Sequence, residues 1–411
     1  METFDHIIIG GGVLGLSIAY HLIRDRQDSV LVLERNELAS AASSKAAGLI
    51  LQATAKPLNT ALAKLTLDTI PVLESELDET VGLHAVGSLR VASSPARAAE
   101  LRAMERDAAE HGNPGQLLSP EDLRRKAPWL DSSMARRITF FPSDGYVEPY
   151  SLSSAYGRAA RKLGAQIRPR TAVTGLIVDS DRVQGVSTAS GDVFGGTVID
   201  AAGAWASLIS AHAGYLLPMT PTRSHYWITA TDPAYGSDFP ITLLPDARAY
   251  MRPETGAMLI GVQEATSVTF DARELPDDIN TFSATKGEEH WDVIADAMQD
   301  ITTFFPTFAQ AQFASYVSGL SGYTPDGHIL LGAVPGTFGF FTAAGCCGNG
   351  IALSAGIGSA LSALVRGEEP GFDVTGFAPD RFGSVDPFSP EFRERCAAAR
   401  ASKSQFGQHS M

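Results

Sequence analysis

A glycine turn between a buried strand and an amphipathic helix stands at the start of this chain and constrains its fold more than any other segment. Phe4-Asp5-His6-Ile7-Ile8-Ile9 is a β-branched apolar run, the pattern of a buried strand. It passes straight into Gly10-Gly11-Gly12-Val13-Leu14-Gly15, which fits G-x-G-x-x-G. Leu16, Ile18, Ala19, Leu22 and Ile23 then share one helical face. A second apolar run, Ser29 to Leu33, ends at Glu34, about 20 residues beyond the last glycine. Strand, turn, helix, strand and acid in this order predict a Rossmann-like α/β unit that holds a dinucleotide. Gly10 permits the tight turn, Gly12 lets a pyrophosphate approach the backbone, and Gly15 lets the helix pack close to the strand. The helix N-terminus aims unpaired N–H groups and a positive dipole end at the phosphates. Glu34 can accept hydrogen bonds from both ribose hydroxyls and would repel a 2′-phosphate. These features do not separate NAD from FAD.

Composition removes most other classes. The 411 residues fit two or three folding units. With 44% hydrophobic and 19% charged residues, the chain is too apolar for disorder. Its net charge of −14 (32 basic, 46 acidic) argues against nucleic acid or an anionic membrane surface as partner. No apolar run is long enough to span a bilayer, and Met1 to Gly10 has neither the basic region nor the cleavage site of a signal peptide. Three cysteines, two of them adjacent (Cys346 and Cys347), give no disulfide framework and no spaced metal set, so small buried packing in a reducing cytoplasm is expected.

Further along, helical spacing predicts a helix over 57–82 with Pro71 as a break or new start. Strands are expected at 86–92 and 138–141 and helices at 95–111, from the Ser119-Pro120 cap, and over 151–163 up to Gly164. Residues 166–168 read as a strand and 172–203 as a β-meander whose last strand ends in Ala201-Ala202-Gly203-Ala204-Trp205, small enough to let a nucleotide pass. The 218–265 stretch reads as strands of a second sheet. Thr324-Pro325-Asp326-Gly327 is a turn followed by an apolar strand. A strand over 338–345 then meets the glycine-rich turn Cys346-Cys347-Gly348-Asn349-Gly350-Ile351 and a small-residue helix at 352–366. Polar residues dominate from about 383, and 401–411 reads as a loose tail.

After Glu34-Arg35 comes a run of small residues through Ser43, Ser44, Lys45, Ala46, Ala47, Gly48 and Leu49. The E-R start and the ending A-A-G-L resemble the FAD-dependent amine and amino-acid oxidoreductases: D-amino-acid oxidase, glycine oxidase, sarcosine oxidase and dimethylglycine dehydrogenase. The T-P-D-G segment resembles the same group. The resemblance implies a discontinuous Rossmann-like FAD-binding domain (1–85, 145–220 and 320–400) and a mixed-sheet α+β substrate domain (86–144 and 221–319). It implies that Val173 meets the adenine, that Ala202, Gly203 and Trp205 border FAD, and that Gly322, Gly345, Gly348, Asn349, Gly350 and Ile351 reach the flavin edge. In the dimethylglycine branch the loop reads H-A-A-G-L and its His carries the flavin covalently. Lys45 stands there, so non-covalent FAD is expected.

By position, the inward His and Tyr of the family correspond to His225 and Tyr250, with Arg252 as a substrate clamp. The family's other anchors are missing. Ser321 stands where glycine oxidases place an Arg, Gly319 where monomeric sarcosine oxidases carry a covalent Cys, and Ala352 where they carry a Lys. Either the substrate is an amine without a carboxylate, or Arg252, Arg223 or Lys45 holds it. The resemblance implies oxidation of a C–N bond, by hydride transfer to flavin, in a small amine such as a secondary amine or N-methyl amino acid. Oxygen or another carrier is the final electron acceptor. Oxidation of a 2-hydroxy acid on the same fold, or a flavin-binding subunit without turnover, are the alternatives. Coupling to folate is not expected from this chain.

Overall fold

The computed structural model describes residues 2–24, 26–54 and 56–403; most of the expected 401–411 tail lies outside them. Ile7, Ile8 and Ile9 are buried on both faces, because their strand Glu2–Ile9 lies mid-sheet. It pairs in parallel with Val30–Leu33 on one side and Gly191–Asp200 on the other. Phe340–Ala344 and Gln166–Arg168 extend the sheet in parallel, and Leu330–Ala333 closes one edge antiparallel. Three distant stretches of chain thus build one Rossmann-like sheet. The meander Val173–Asp179, Arg182–Thr188 and Gly191–Asp200 is antiparallel, as its alternation predicts.

Helices Val13–Arg24, Pro57–Leu77, Pro149–Lys162 and Ser354–Val365 cover one face and share one apolar core. Small residues let them close up. A Cβ on Gly356 would stand 2.7 Å from the Leu62 Cα, and one on Gly358 would overlap the Ser17 hydroxyl. Pro57–Leu77 runs through Pro71 without a break, where a stop or restart was expected. Pro71 itself is exposed, so the carbonyl it leaves unpaired is close to solvent. Burial of Ile70 and Leu73 offsets the roughly 3 kcal/mol that an interior proline costs.

The second sheet has seven strands in the order Phe313–Tyr323, Thr220–Thr229, Ala257–Val262, Ala249–Glu254, Ile241–Leu244, Ser88–Ala92 and Arg137–Phe141. Helix Glu289–Phe304 packs its Ile294, Ala297 and Ile301 against one face, on Val91, Trp227, Met251 and Ile260. The opposite face looks toward the first unit. Helices Ala206–Ala211, Glu289–Phe304 and Pro390–Ala401 fall where no helix was expected; the last, Pro390–Ala401, is capped by Ser389, whose side chain accepts from the Phe392 N–H. It buries Phe392, Cys396, Ala399 and Arg400.

Candidate active site

The N-terminal turn is built as its glycines require. Gly10 holds φ +109°, and a Cβ on Gly15 would overlap the Gly10 carbonyl oxygen. Ser43 Oγ accepts from the Val13 N–H at 3.0 Å, capping the first helix from the small-residue loop. Glu34 accepts from the Gly11 and Asn36 N–H groups at 2.7 and 2.8 Å. Beside this turn lies a cavity of about 110 Å³, lined by Gly10, Gly12, Glu34, Arg35, Ser43, Lys45, Val173, Ala202, Gly203 and Trp205. The Arg35 guanidinium lies 4.6 Å from the Trp205 ring centre, and the buried Trp205 Nε1 has no partner. A buried donor without an acceptor, beside glycines that admit a close ligand, fits the nucleotide half of FAD. Ser44 lines neither cavity; its hydroxyl donates to the carbonyls of Ser40 and Ala41.

The larger cavity, about 570 Å³, shares Gly12, Ser43, Lys45 and Gly203 with the smaller one. Its lining brings Val13, Leu14, Ala47, Gly48 and Leu49 together with Gly322, Gly345, Gly348, Asn349, Gly350 and Ile351. The two ends of the chain therefore meet at one space. The second glycine turn is pinned from afar. Gly348 N–H donates to Ser321 Oγ at 2.9 Å, and Cys347 N–H to the Gly322 carbonyl at 2.9 Å. Cys347 is buried, and burial pushes its thiol up to about 11. It packs with Tyr323, Phe392 and Cys396, and no metal-holding cluster exists among the described residues.

The sheet supplies the far wall. Arg90, Leu243, Tyr250 and Gly261 are cross-strand neighbours and point to the same face. Trp227 pairs with Ile260, so Tyr226 shares the Gly261 face. The Tyr250 ring lies over Gly261, where any Cβ would overlap it. Tyr226 and Tyr250 both border the cavity. Burial raises both phenols, that of Tyr226 to about 12.

His225 is next to Tyr226 and so turns the other way. Its ring lies 4.8 Å from that of Trp227, and its Nδ1 is 3.0 Å from the Tyr316 hydroxyl, on the side backed by helix Glu289–Phe304. Burial, then the charges of Arg400 and Arg223, lower its pKa to about 3. The structure thus pairs Tyr250 with Tyr226 rather than with His225, although the His225 residue touches the cavity edge.

Of the expected anchors, only Lys45 borders the cavity. It is half-buried, and burial lowers its pKa. Arg252 donates to the Ala47 carbonyl at 2.7 Å, pairs with Glu254, and lies 4.6 Å from the Tyr146 ring centre. Arg223 pairs with Glu264 and Glu289 behind the sheet. Sequence reasoning missed Tyr226, Tyr323, Arg248, Arg400 and Lys403, all of which line the cavity. Lys403 donates to the Cys347 carbonyl at 2.9 Å.

A parallel Rossmann-like sheet, a second sheet roofing the cavity, and glycine turns from both chain ends define a two-sheet dinucleotide-dependent oxidoreductase. The chain belongs to the family described as FAD dependent oxidoreductase, which matches residues 5–364. It is 30% identical over 390 residues to the mitochondrial dimethylglycine dehydrogenase of Mus musculus, covering 93% of this chain and 44% of that one. It is 31% identical over 376 residues to the 4-methylaminobutanoate oxidase (formaldehyde-forming) of Paenarthrobacter nicotinovorans, covering 92% and 45%. This chain spans less than half the length of both relatives. The crystal structure of glycine oxidase from Geobacillus kaustophilus superimposes with a TM-score of 0.78 at 25% identity, over 94% of this chain and 100% of that one. Among the described residues, no helix is long and apolar enough to cross a membrane.

Proposed function

We propose that this chain oxidises the C–N bond of a small N-methylated amine or amino acid, with non-covalently held FAD. The observation that carries the reading is the single cavity where both glycine turns meet the Tyr226–Tyr250 face. The names of the two relatives, one acting on dimethylglycine and the other on 4-methylaminobutanoate, support the substrate class. FAD, when bound, supplies the acceptor for the hydride leaving the carbon beside nitrogen. The amine lone pair forms the C=N bond as that C–H bond breaks, and water then cleaves the imine to an amine and an aldehyde.

The residues' share is to hold the amine neutral and oriented. Lys45 and Lys403 on the cavity wall disfavour an ammonium, leaving the lone pair free. The bordering acids are otherwise engaged, Glu100 with Arg97 and Asp326 with Arg381. The phenols of Tyr226 and Tyr250, kept protonated by burial, can donate to the amine's surroundings without titrating. We assign residues 1–85, 145–220 and 320–400 to the cofactor unit and 86–144 and 221–319 to the substrate unit, with strand Phe313–Tyr323 running across one boundary. The three cysteines are free, which supports a reducing cytoplasm.

The test is anaerobic bleaching of the yellow protein. N,N-dimethylglycine, 4-methylaminobutanoate or another N-methyl amine should bleach it, while 2-hydroxy acids should not. Bleaching by hydroxy acids alone would reverse the assignment.

A further inference from the structure

We propose that Arg400, on the C-terminal helix, is the anchor for the substrate's carboxylate; this deepens the C–N oxidation reading and rests on it. The residue lines the main cavity and is only 7% exposed. Its Nε and Nη1 are buried without a partner, and no described carboxylate pairs with it. Every other deeply buried arginine on either sheet is engaged. Arg90 donates to the Ala53 carbonyl at 2.7 Å and faces Asp144, Arg223 has two glutamates, and Arg252 has Glu254. A buried guanidinium left without acceptors is costly, by several kcal/mol. An anion entering the cavity removes that cost, and a planar carboxylate matches the fork of donors.

The surroundings favour an anion over any other guest. The Arg400 guanidinium lies 5.9 Å from the Tyr323 ring centre, and its charge also reaches Tyr250 and Lys403. Lys45 and Arg248 border the same cavity but are half-buried, so water serves them more fully than it serves Arg400, whose Nε and Nη1 are buried. The helix bearing Arg400 is fixed by Phe392 and Cys396, packed on Tyr323 and Cys347. That places the guanidinium on the cavity side of Tyr323, within electrostatic reach of the Tyr250 wall where the amine would lie. The carboxylate would then lie against Arg400 with the reacting nitrogen beside it, on the Tyr250 side.

The probe is glycine betaine, a carboxylate whose quaternary nitrogen has no lone pair and so cannot be oxidised. It is titrated anaerobically into the FAD-loaded protein while the visible flavin spectrum is followed. Arg400→Met should weaken its Kd about 100-fold and Arg400→Lys about 10-fold, the scale of a charge-assisted pair. kcat/KM for N,N-dimethylglycine should fall in parallel, while that for N,N-dimethylethylamine, which lacks the carboxylate, should change less than about threefold. Unchanged betaine affinity in both variants, or no binding to the unmodified protein, overturns the proposal. So does loss of FAD from both variants, which would assign the guanidinium to the cofactor. Betaine binding that depends on Arg400, in a protein that no amine bleaches, would uphold the anion site and sink the C–N oxidation reading instead.

Discussion

The two ends of the cavity are built by opposite strategies. At the nucleotide end, Gly10, Gly12 and Gly15 lie within six residues, and the tightest approach is between two of them: Gly15 packs on the Gly10 carbonyl, while Gly10 lies against the Ala201 backbone and Gly12 near Ser43 Oγ. At the other end, the turn 345–350 is held by groups distant in sequence: Ser321, the Gly322 carbonyl and Lys403. Its backbone takes φ values of +65°, +51° and +71° at Gly345, Cys347 and Gly348. A β-carbon-bearing residue sits there in the left-handed region because a buried thiol and a long-range hydrogen bond hold it. Local encoding makes the first end sensitive to single side chains, and distributed encoding makes the second tolerant of losing one tie.

The sharpest test of that difference is Gly15→Ala. The added carbon overlaps the Gly10 carbonyl oxygen and would stand 3.1 Å from its carbon. Helix and strand must move apart, at a cost of roughly 3 kcal/mol or more. The expected outcome is protein purified with little FAD and a Tm lowered by several degrees. A yellow variant with unchanged Tm would show that the turn has slack.

How much was legible follows the same division. The first strand, turn and helix and the acid at Glu34 could be read because the glycine spacing is a local pattern. The face of strand Thr220–Thr229 could not be read. Arg223, His225, Tyr226 and Trp227 are all buried, because a helix covers one face and the cavity faces the other. No polar alternation therefore told His225 from Tyr226. The helix Pro390–Ala401 was hidden by polar composition, yet its signals were present. Ser389-Pro390 repeats the start of two other helices, Ser94-Pro95 and Ser119-Pro120, and Phe392, Cys396 and Ala399 follow the i, i+4, i+7 spacing of one helical face. Arg400, four residues after Cys396, falls on the same buried face, and only the fold reveals the cavity there.

The His225 assignment gives the next test, of intermediate size. With its pKa held near 3 in the folded chain and an ordinary value of about 6.5 when unfolded, the unfolded state binds more protons between those limits. Stability therefore rises with pH across that window and falls on acidification, by at most about 1.4 kcal/mol per pH unit. His225→Phe, whose ring can keep the Trp227 contact, should make the acid limb of a Tm-against-pH curve shallower. It should leave the pH profile of amine oxidation in place, whereas Tyr226→Phe should change kcat with little effect on acid stability. A pH profile altered by His225→Phe and untouched by Tyr226→Phe would return the histidine to the cavity face.

The smallest effect belongs to the tie that the distributed design can best spare. The Ser321 hydroxyl accepts from the Gly348 N–H at 2.9 Å. Ser321→Ala removes one hydrogen bond, worth about 1 kcal/mol, while the Cys347 N–H bond to Gly322 and the Lys403 bond to the Cys347 carbonyl remain. FAD should stay bound through purification, with its dissociation constant raised about fivefold by that loss. If the substitution instead strips the cofactor as fully as Gly15→Ala, the turn 345–350 depends on a single contact, and the contrast between the two ends of the cavity disappears.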